Sequence, residues 1–120
     1  MGKTNMTIIY HNKSCSKSCS ALEVLKQSGK PFEIIEYLAD VPTVEELKVI
    51  VNKLQCRPHD LIRTNEKIYI AQFKGKDLTD EESILAMHEN PILIQRPIIV
   101  DGNQAMVART PEALASIHKS

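Results

Sequence analysis

The sequence has no excess of either charge, few cysteines and no long apolar run. Its 120 residues carry 15 Lys and Arg against 15 Asp and Glu, so no overall basic field favours nucleic acid. The three cysteines are an odd number, which argues against a disulfide framework. No apolar run approaches the roughly 20 residues that a membrane-spanning helix needs. These absences predict a soluble protein whose partners include no nucleic acid and no membrane.

The size and the N-terminal segment set further expectations. A chain of 120 residues is the length of one domain and can bury a core without metal or disulfide staples. Its first residues lack the apolar stretch of a secretory signal peptide. We therefore expect a single domain over residues 1–120, a cytoplasmic location with reduced thiols, and a monomer.

A cysteine lies between a predicted strand and a predicted helix near the N-terminus. Residues 6–10 form a short β-branched run, and after Cys15 apolar residues recur at helical spacing until Ser28 and Gly29. Unpaired N–H groups at a helix N-terminus, aided by nearby cations, favour the reactive thiolate and bind oxyanions. Cys15 is therefore the candidate nucleophile, although a small residue that only fills space beside a strand end would also fit. The candidate cations are Lys13, Lys17 and a protonated His11.

Two residues near Cys15, Cys19 and His11, are each compatible with two roles. Cys19 follows four positions later, where a regular helix separates the Cβ atoms by about 5–6 Å, slightly more than a disulfide tolerates. A bridge therefore requires Cys15 to lie before the first full turn. Cys19 either resolves oxidised Cys15 or is a bystander. His11 either helps to hold the Cys15 thiolate or is a hydrogen-bonded structural residue.

The remaining pattern predicts an α/β fold. A second strand over residues 32–37 completes a parallel βαβ unit. Capping boxes at Thr43 and Thr79 begin helices that end near residues 55–56 and 90–91, and residues 58–63 favour a short helix. Residues 64–76 are polar and irregular, and a hairpin turns at Asp101-Gly102 before a last helix from Thr110. This order predicts a thioredoxin-like fold, a small mixed sheet flanked by helices, with a helical insertion.

Several separated motifs carry a resemblance to a known family. The chain resembles the ArsC-type, glutaredoxin-linked arsenate reductases and their Spx-like relatives over nearly its whole length. The matching motifs are Tyr10-His11-Asn12 followed by Cys15, Leu61-Ile62-Arg63-Thr64-Asn65, Gln95-Arg96-Pro97-Ile98 and Ala108-Arg109-Thr110-Pro111. The resemblance implies that Cys15 is catalytic and that Arg63, Arg96 and Arg109 bind the oxyanion. It also places Pro97 at the cis-proline position, although Pro97 would equally suit the start of an edge strand.

The family's chemistry is the two-electron reduction of arsenate to arsenite. Forked guanidinium groups spread the charge of the anion so that it can approach a thiolate. The resemblance implies arsenate or a similar oxyanion as substrate, glutathione as co-substrate, glutaredoxin or thioredoxin as reductant, and no bound cofactor. The chain departs from the common pattern at Cys19, where the well-known enzymes tend to have a basic residue, and this leaves the electron donor open.

Two other classes of protein share some of these residues. A Spx-like regulator would use a cysteine pair as a redox switch and would bind RNA polymerase. Its cysteines are typically separated by two residues, whereas three separate Cys15 from Cys19, so we favour the enzyme. A metal site would draw on Cys15, Cys19, Cys56, His11 and His59. These residues form neither a CxxC nor a closely paired histidine motif, so we predict no metal.

Overall fold

The computed structural model describes residues 7–29 and 31–108. Arg109 and the helix expected from Thr110 lie outside these ranges. The described residues divide into two compact units, one of residues 7–29, 31–37 and 96–108 and the other of residues 38–95. The expectation of one domain across the chain stays a prediction. No helix in the described ranges is long and apolar enough to span a membrane.

A four-stranded mixed sheet forms the first unit. Its strands are β1 (Thr7–His11), β2 (Phe32–Glu36), β3 (Ile98–Asp101) and β4 (Gln104–Val107), and helix α1 (Ser16–Ser28) connects β1 to β2. The strand order is β2-β1-β3-β4. As predicted, β1 and β2 are parallel, whereas β3 is antiparallel to both β1 and β4. Because β3 is an inner strand, the alternative that Pro97 begins an edge strand is wrong.

The core of this unit lies between the sheet and α1. Apolar side chains from β1, α1 and β3 meet there because strand residues alternate between faces and helix residues recur every three or four positions. The buried members are Ile9, Ala21, Leu25, Ile99 and Ala108. Helix α1 ends where the sequence predicts, since Gly29 adopts the left-handed conformation with φ +77°, which glycine adopts without a steric cost. This packing holds the N-terminus of α1 beside the end of β1.

Helices make up the second unit. Its α-helices are α2 (Val44–Leu54), α3 (Lys67–Gln72) and α4 (Asp80–Glu89), with 3₁₀ helices at Pro58–Leu61 and Pro91–Leu93. Both predicted capping boxes are present, Thr43 with Glu46 and Thr79 with Glu82. Helix α4 packs against α2 and both 3₁₀ helices. Along the chain a strand, a helix and a second strand come first, the helices of the second unit follow, and the β3–β4 hairpin comes last. This is the predicted thioredoxin-like arrangement.

The sequence-based boundaries fail at several places, among them the end of β2, which stops at Glu36 and not at residue 37. Strand β1 continues through His11, one residue beyond the predicted end. The helix expected over residues 58–63 is a 3₁₀ turn that ends at Leu61. The prediction of an irregular segment over residues 64–76 is wrong, because this segment contains α3. Helix α3 has no side-chain cap, so it lacks the local signal that identified α2 and α4.

Candidate active site

The turn after β1 places Cys15 at the start of α1. The Cys15 N–H donates to the Asn12 carbonyl at 2.9 Å, and the Ser14 N–H donates to Asn12 Oδ1 at 2.9 Å. Cys15 is the N-cap residue, with the extended dihedrals φ −107° and ψ 122°. It therefore precedes the first full turn of α1, which is the position that a bridge to Cys19 would require.

A buried serine fixes the first turn of α1 against the end of β1. The Ser18 side chain is fully buried, and its Oγ accepts a hydrogen bond from the Asn12 N–H at 3.0 Å. The same hydroxyl is hydrogen-bonded to His11 Nδ1 at 2.5 Å. These bonds hold the N–H groups of the first turn in place around Cys15. Sequence analysis missed Ser18, although it shares a helical face with the core residues Ala21 and Leu25.

His11 is neutral in this setting. It is only 5% exposed, and burial lowers its pKa below the ordinary value, although Glu36 acts to raise the pKa and Lys26 adds to the lowering. At neutral pH the group is therefore an uncharged imidazole whose Nδ1 contacts Ser18. This environment does not support a protonated His11 as a cation beside Cys15. It agrees with the alternative of a hydrogen-bonded residue that supports the turn.

The Cys15 thiol is activated by groups around its sulfur. Burial by itself would raise the pKa of Cys15, but the backbone N–H groups of Ser18 and Lys17 and the hydrogen bond and charge of Arg96 outweigh it, so the pKa is lowered. The sequence predicted that N–H groups at the helix N-terminus, aided by nearby cations, favour the thiolate; in the structure the backbone amides contribute, and the cation is Arg96 and not a lysine.

Arg96 lies beside Cys15 and carries hydrogen-bond donors that have no partner among the described residues. Its Nε and Nη1 atoms are buried and have no hydrogen-bond partner in the described part of the chain. A buried donor without a partner costs free energy, and a guanidinium group beside the thiol is of the type that binds an oxyanion. The Arg96–Pro97 peptide bond is cis, and Pro97 is fully buried. Cys15, the first turn of α1 and Arg96 therefore lie together at one place in the first unit.

Cys19 lies one turn into α1. Its side chain is exposed, and neither it nor Cys15 is in a disulfide. The Cys19 N–H donates to the Cys15 carbonyl at 3.0 Å, and its Sγ donates to the Lys13 carbonyl at 3.5 Å. The resolving role of Cys19 stays a prediction.

The other predicted residues lie elsewhere or outside the described ranges. Arg63 belongs to the second unit, where its Nη1 pairs with Glu66 Oε2, a partner that sequence analysis missed despite the i, i+3 spacing. Arg109 is not described. The pKa of Cys56 is raised by burial and by the charge of Asp60, so this thiol is not activated. Within residues 7–29 and 31–108, no group of His, Cys, Asp and Glu side chains is placed to hold a metal ion.

Alkylation should distinguish the three thiols. Because only a thiolate reacts quickly, a lowered pKa keeps Cys15 reactive at pH values where an ordinary thiol is protonated. At a pH below the pKa of an ordinary thiol, iodoacetamide is expected to modify Cys15 faster than Cys56. Peptide mapping at successive times measures the order of modification. Lowering the pH should slow the modification of Cys15 only once the pH falls below the pKa of its thiol. Equal rates for Cys15 and Cys56 would contradict the assigned activation.

A mixed sheet with an activated cysteine at a strand-to-helix turn and a cis-proline nearby defines the class as thioredoxin-like thiol proteins. The model of the ArsC family matches residues 10–117, and the chain belongs to this family. Its relatives include the uncharacterised protein YfgD of Escherichia coli, 36% identical over 118 residues that cover 95% of this chain and 98% of that protein. An arsenate reductase of Haemophilus influenzae is 36% identical over 112 residues, 92% of this chain and 97% of the relative.

Solved structures agree with this assignment. A structure titled arsenate reductase from Vibrio cholerae superposes with a TM-score of 0.88 at 37% identity and covers 96% of this chain and 99% of its own. The predicted family and the thioredoxin-like fold are therefore confirmed. These matches give no support to the Spx-like alternative.

Proposed function

We propose that this protein is an arsenate reductase-type thiol oxidoreductase that reduces arsenate to arsenite with Cys15 as nucleophile. The observation that carries the proposal is the pair of buried, unpartnered Arg96 nitrogens, counted over the described residues, next to a thiol whose pKa is lowered. The arsenate reductase names of relatives such as those from Haemophilus influenzae and Vibrio cholerae support the choice of oxyanion.

The reaction is balanced by two thiols. The Cys15 thiolate attacks As(V), an arsenic–oxygen bond breaks, and the oxygen leaves as hydroxide that is protonated to water. A second thiol then attacks the Cys15 sulfur, and the electron pair of the sulfur–arsenic bond stays on arsenic. Arsenic is reduced by two electrons to arsenite, while the two thiols are oxidised to a disulfide. No bound cofactor is needed for this sequence.

The anion needs oriented donors because it carries the same sign of charge as the attacking sulfur. In the proposal, the N–H groups of Lys17 and Ser18 stabilise the thiolate before attack and bind oxygen atoms once the sulfur is bonded to arsenic. Arg96 supplies a planar fork with free donors. Arg63 and Arg109 are proposed as further oxyanion-binding residues because their surrounding residues match the family pattern.

Two residues are proposed to support the reacting groups without contacting arsenic. His11 acts through Ser18, whose hydroxyl it contacts, and so keeps the first turn of α1 in place. Pro97 is proposed as the cis-proline of the site, since its peptide bond to Arg96 is cis.

The second thiol is proposed to come from glutathione with glutaredoxin, or from thioredoxin acting on an internal disulfide. A cytoplasmic location would maintain the reduced thiols that this chemistry needs. The test supplies arsenate to reduced protein together with glutathione, glutaredoxin or thioredoxin in separate reactions, and measures arsenite. Arsenite should form with at least one donor. If no donor yields arsenite and the protein thiols remain reduced, the proposed function is wrong.

Cys19 is predicted to resolve oxidised Cys15. Cys15 is the N-cap residue with extended dihedrals, so it precedes the first full turn of α1, as a bridge to Cys19 requires. After one arsenate turnover without added thiol, mass spectrometry should detect a peptide with a Cys15–Cys19 disulfide. Such a bridge would be easily reduced, as suits a catalytic disulfide. A strict requirement for glutathione, together with full activity of Cys19→Ser, would return Cys19 to a bystander role.

A further inference from the structure

One ion pair in the second unit differs from the other ion pairs among the described residues. The side chains of Arg63 and Glu66 are only 15% and 21% exposed, whereas those of Arg57 and Asp80 are 77% and 58% exposed and those of Lys26 and Glu23 are 53% and 64% exposed. Exposed pairs contribute little because water screens them and both side chains lose entropy. A pair that is mostly shielded from water holds its geometry more firmly.

The backbone holds both residues of this pair as well. The Arg63 N–H donates to the Leu93 carbonyl at 2.7 Å, and the Glu66 N–H donates to the Arg63 carbonyl at 3.2 Å. Immediately before Arg63, Ile62 forms a bridge with Ile94. Glu66 is the residue that precedes α3, and its carbonyl accepts from the Ile70 N–H at 3.1 Å. Backbone hydrogen bonds therefore hold Arg63 and Glu66 in place at both ends of the contact between their side chains.

A guanidinium group has five N–H donors in one plane. The contact with Glu66 uses Nη1 and restricts the position of the group, while its other donors have no hydrogen-bond partner among the described residues. A bidentate contact with an oxyanion needs two donors at a fixed orientation. Arg96 shows a related state, since its Nε and Nη1 have no partner among the residues that the structure describes.

We propose that Glu66 is a positioning residue that holds the Arg63 guanidinium in the orientation for binding the substrate oxyanion. This inference rests on the proposed function, in which Arg63 contacts the oxyanion, and it uses only contacts inside the second unit. Glu66 acts as a hydrogen-bond acceptor whose side chain is long enough to place an oxygen atom beside Arg63 Nη1. The negative charge of Glu66 is not what the orientation requires, because an amide oxygen at the same reach also accepts from Nη1.

Two substitutions of Glu66 separate the effect of side-chain length from the effect of charge. Glu66→Gln keeps the length and an acceptor oxygen but removes the charge. Glu66→Asp keeps the charge but shortens the side chain, and aspartate is well tolerated before a helix. Both are made in protein that carries Cys15→Ser, so that arsenate binds without reacting, and binding is measured by isothermal titration calorimetry with arsenate. Asp80→Asn is the matched control, since it removes a carboxylate from the exposed pair with Arg57.

Glu66→Asp is expected to weaken arsenate binding about tenfold or more, the effect of losing one oriented hydrogen bond to a charged group. Glu66→Gln and Asp80→Asn should stay within about threefold of the reference, which is less than one hydrogen bond of this kind contributes. Unfolding in denaturant should show that all variants fold like the reference. Reference-like binding by Glu66→Asp, or an equal loss in Glu66→Gln, overturns the positioning role alone. An absence of arsenate binding in the reference overturns the proposed function and this inference together.

Discussion

Replacement of Cys15 by serine is expected to abolish arsenate reduction. The donors around this position lower the pKa of the Cys15 thiol, but they cannot ionise a serine hydroxyl near neutral pH. Without a thiolate no bond to arsenic forms, and neither electron is transferred. A loss on the order of 10⁴-fold or more is expected, as in enzymes that lose their nucleophile. The measurement is arsenite formation under saturating donor thiol.

The other two cysteines supply matched controls for this experiment. Cys56→Ser should retain activity, because burial and Asp60 raise the pKa of this thiol. Cys19→Ser should retain the first step, which appears as covalent labelling of Cys15 by arsenic, even if a later step slows. Near-normal turnover by Cys15→Ser together with loss of turnover in Cys19→Ser would reverse the assignment of the nucleophile.

Replacement of Arg96 by lysine should have the next largest effect. Lysine would keep the positive charge but not the planar, multiply donating guanidinium group of Arg96. The loss of an oriented, charge-assisted contact usually costs a few kcal/mol, which is on the order of 10²-fold in rate. We expect kcat/KM for arsenate to fall by about this factor. The fall should persist at high donor concentration, because the donor thiol reacts after the oxyanion has bound.

A surface arginine provides the control for Arg96. Arg57 is 77% exposed and pairs with Asp80 at 3.2 Å, so Arg57→Lys should leave kcat/KM almost unchanged. The rate of Cys15 alkylation in Arg96→Lys separates two effects of the substitution, a weaker thiolate and a weaker oxyanion site. Unchanged arsenate kinetics in Arg96→Lys would remove the main support for the proposed chemistry.

The sequence was most informative where a local pattern determines the structure. The reciprocal side-chain and backbone bonds of Thr43 with Glu46 and of Thr79 with Glu82 start α2 and α4, and each bond joins residues three positions apart. Gly29 ends α1 as predicted. The Asp101-Gly102 turn also connects β3 and β4 as predicted. Such features depend on neighbouring residues and can be identified without knowledge of the rest of the fold.

Helix α3 depends instead on contacts with distant residues, and the sequence did not reveal it. Tyr69 is buried, and its hydroxyl is hydrogen-bonded at 3.1 Å to Nε2 of His59, a residue outside α3. The six residues of α3 are too few to form a stable helix alone. Their helical state therefore follows from tertiary packing, which periodicity over so short a segment cannot show.

The same distinction holds in the candidate site. The strand-to-helix pattern predicted the position of Cys15, because that position depends only on adjacent elements. Arg96 lies far away in the sequence, and only the resemblance to a family indicated its role. The contribution of the backbone N–H groups of Lys17 and Ser18 could not be separated from that of lysine side chains by composition. It depends on the orientation of one helical turn, which Ser18 holds from a buried position.

Cys15 is both the proposed nucleophile and the N-cap of α1, so chemistry at its sulfur would change the end of a helix. The thiolate stabilises the amides of Lys17 and Ser18, and a disulfide or an alkyl group on the sulfur removes that negative charge from the positive end of the helix dipole. Oxidation should therefore loosen the first turn of α1 and speed hydrogen exchange of these amides, while the amides near Gly29 stay unchanged. A redox partner would then contact a helix N-terminus that the thiolate stabilises before the reaction and a loosened helix N-terminus after it. This difference in shape would distinguish oxidised protein from reduced protein.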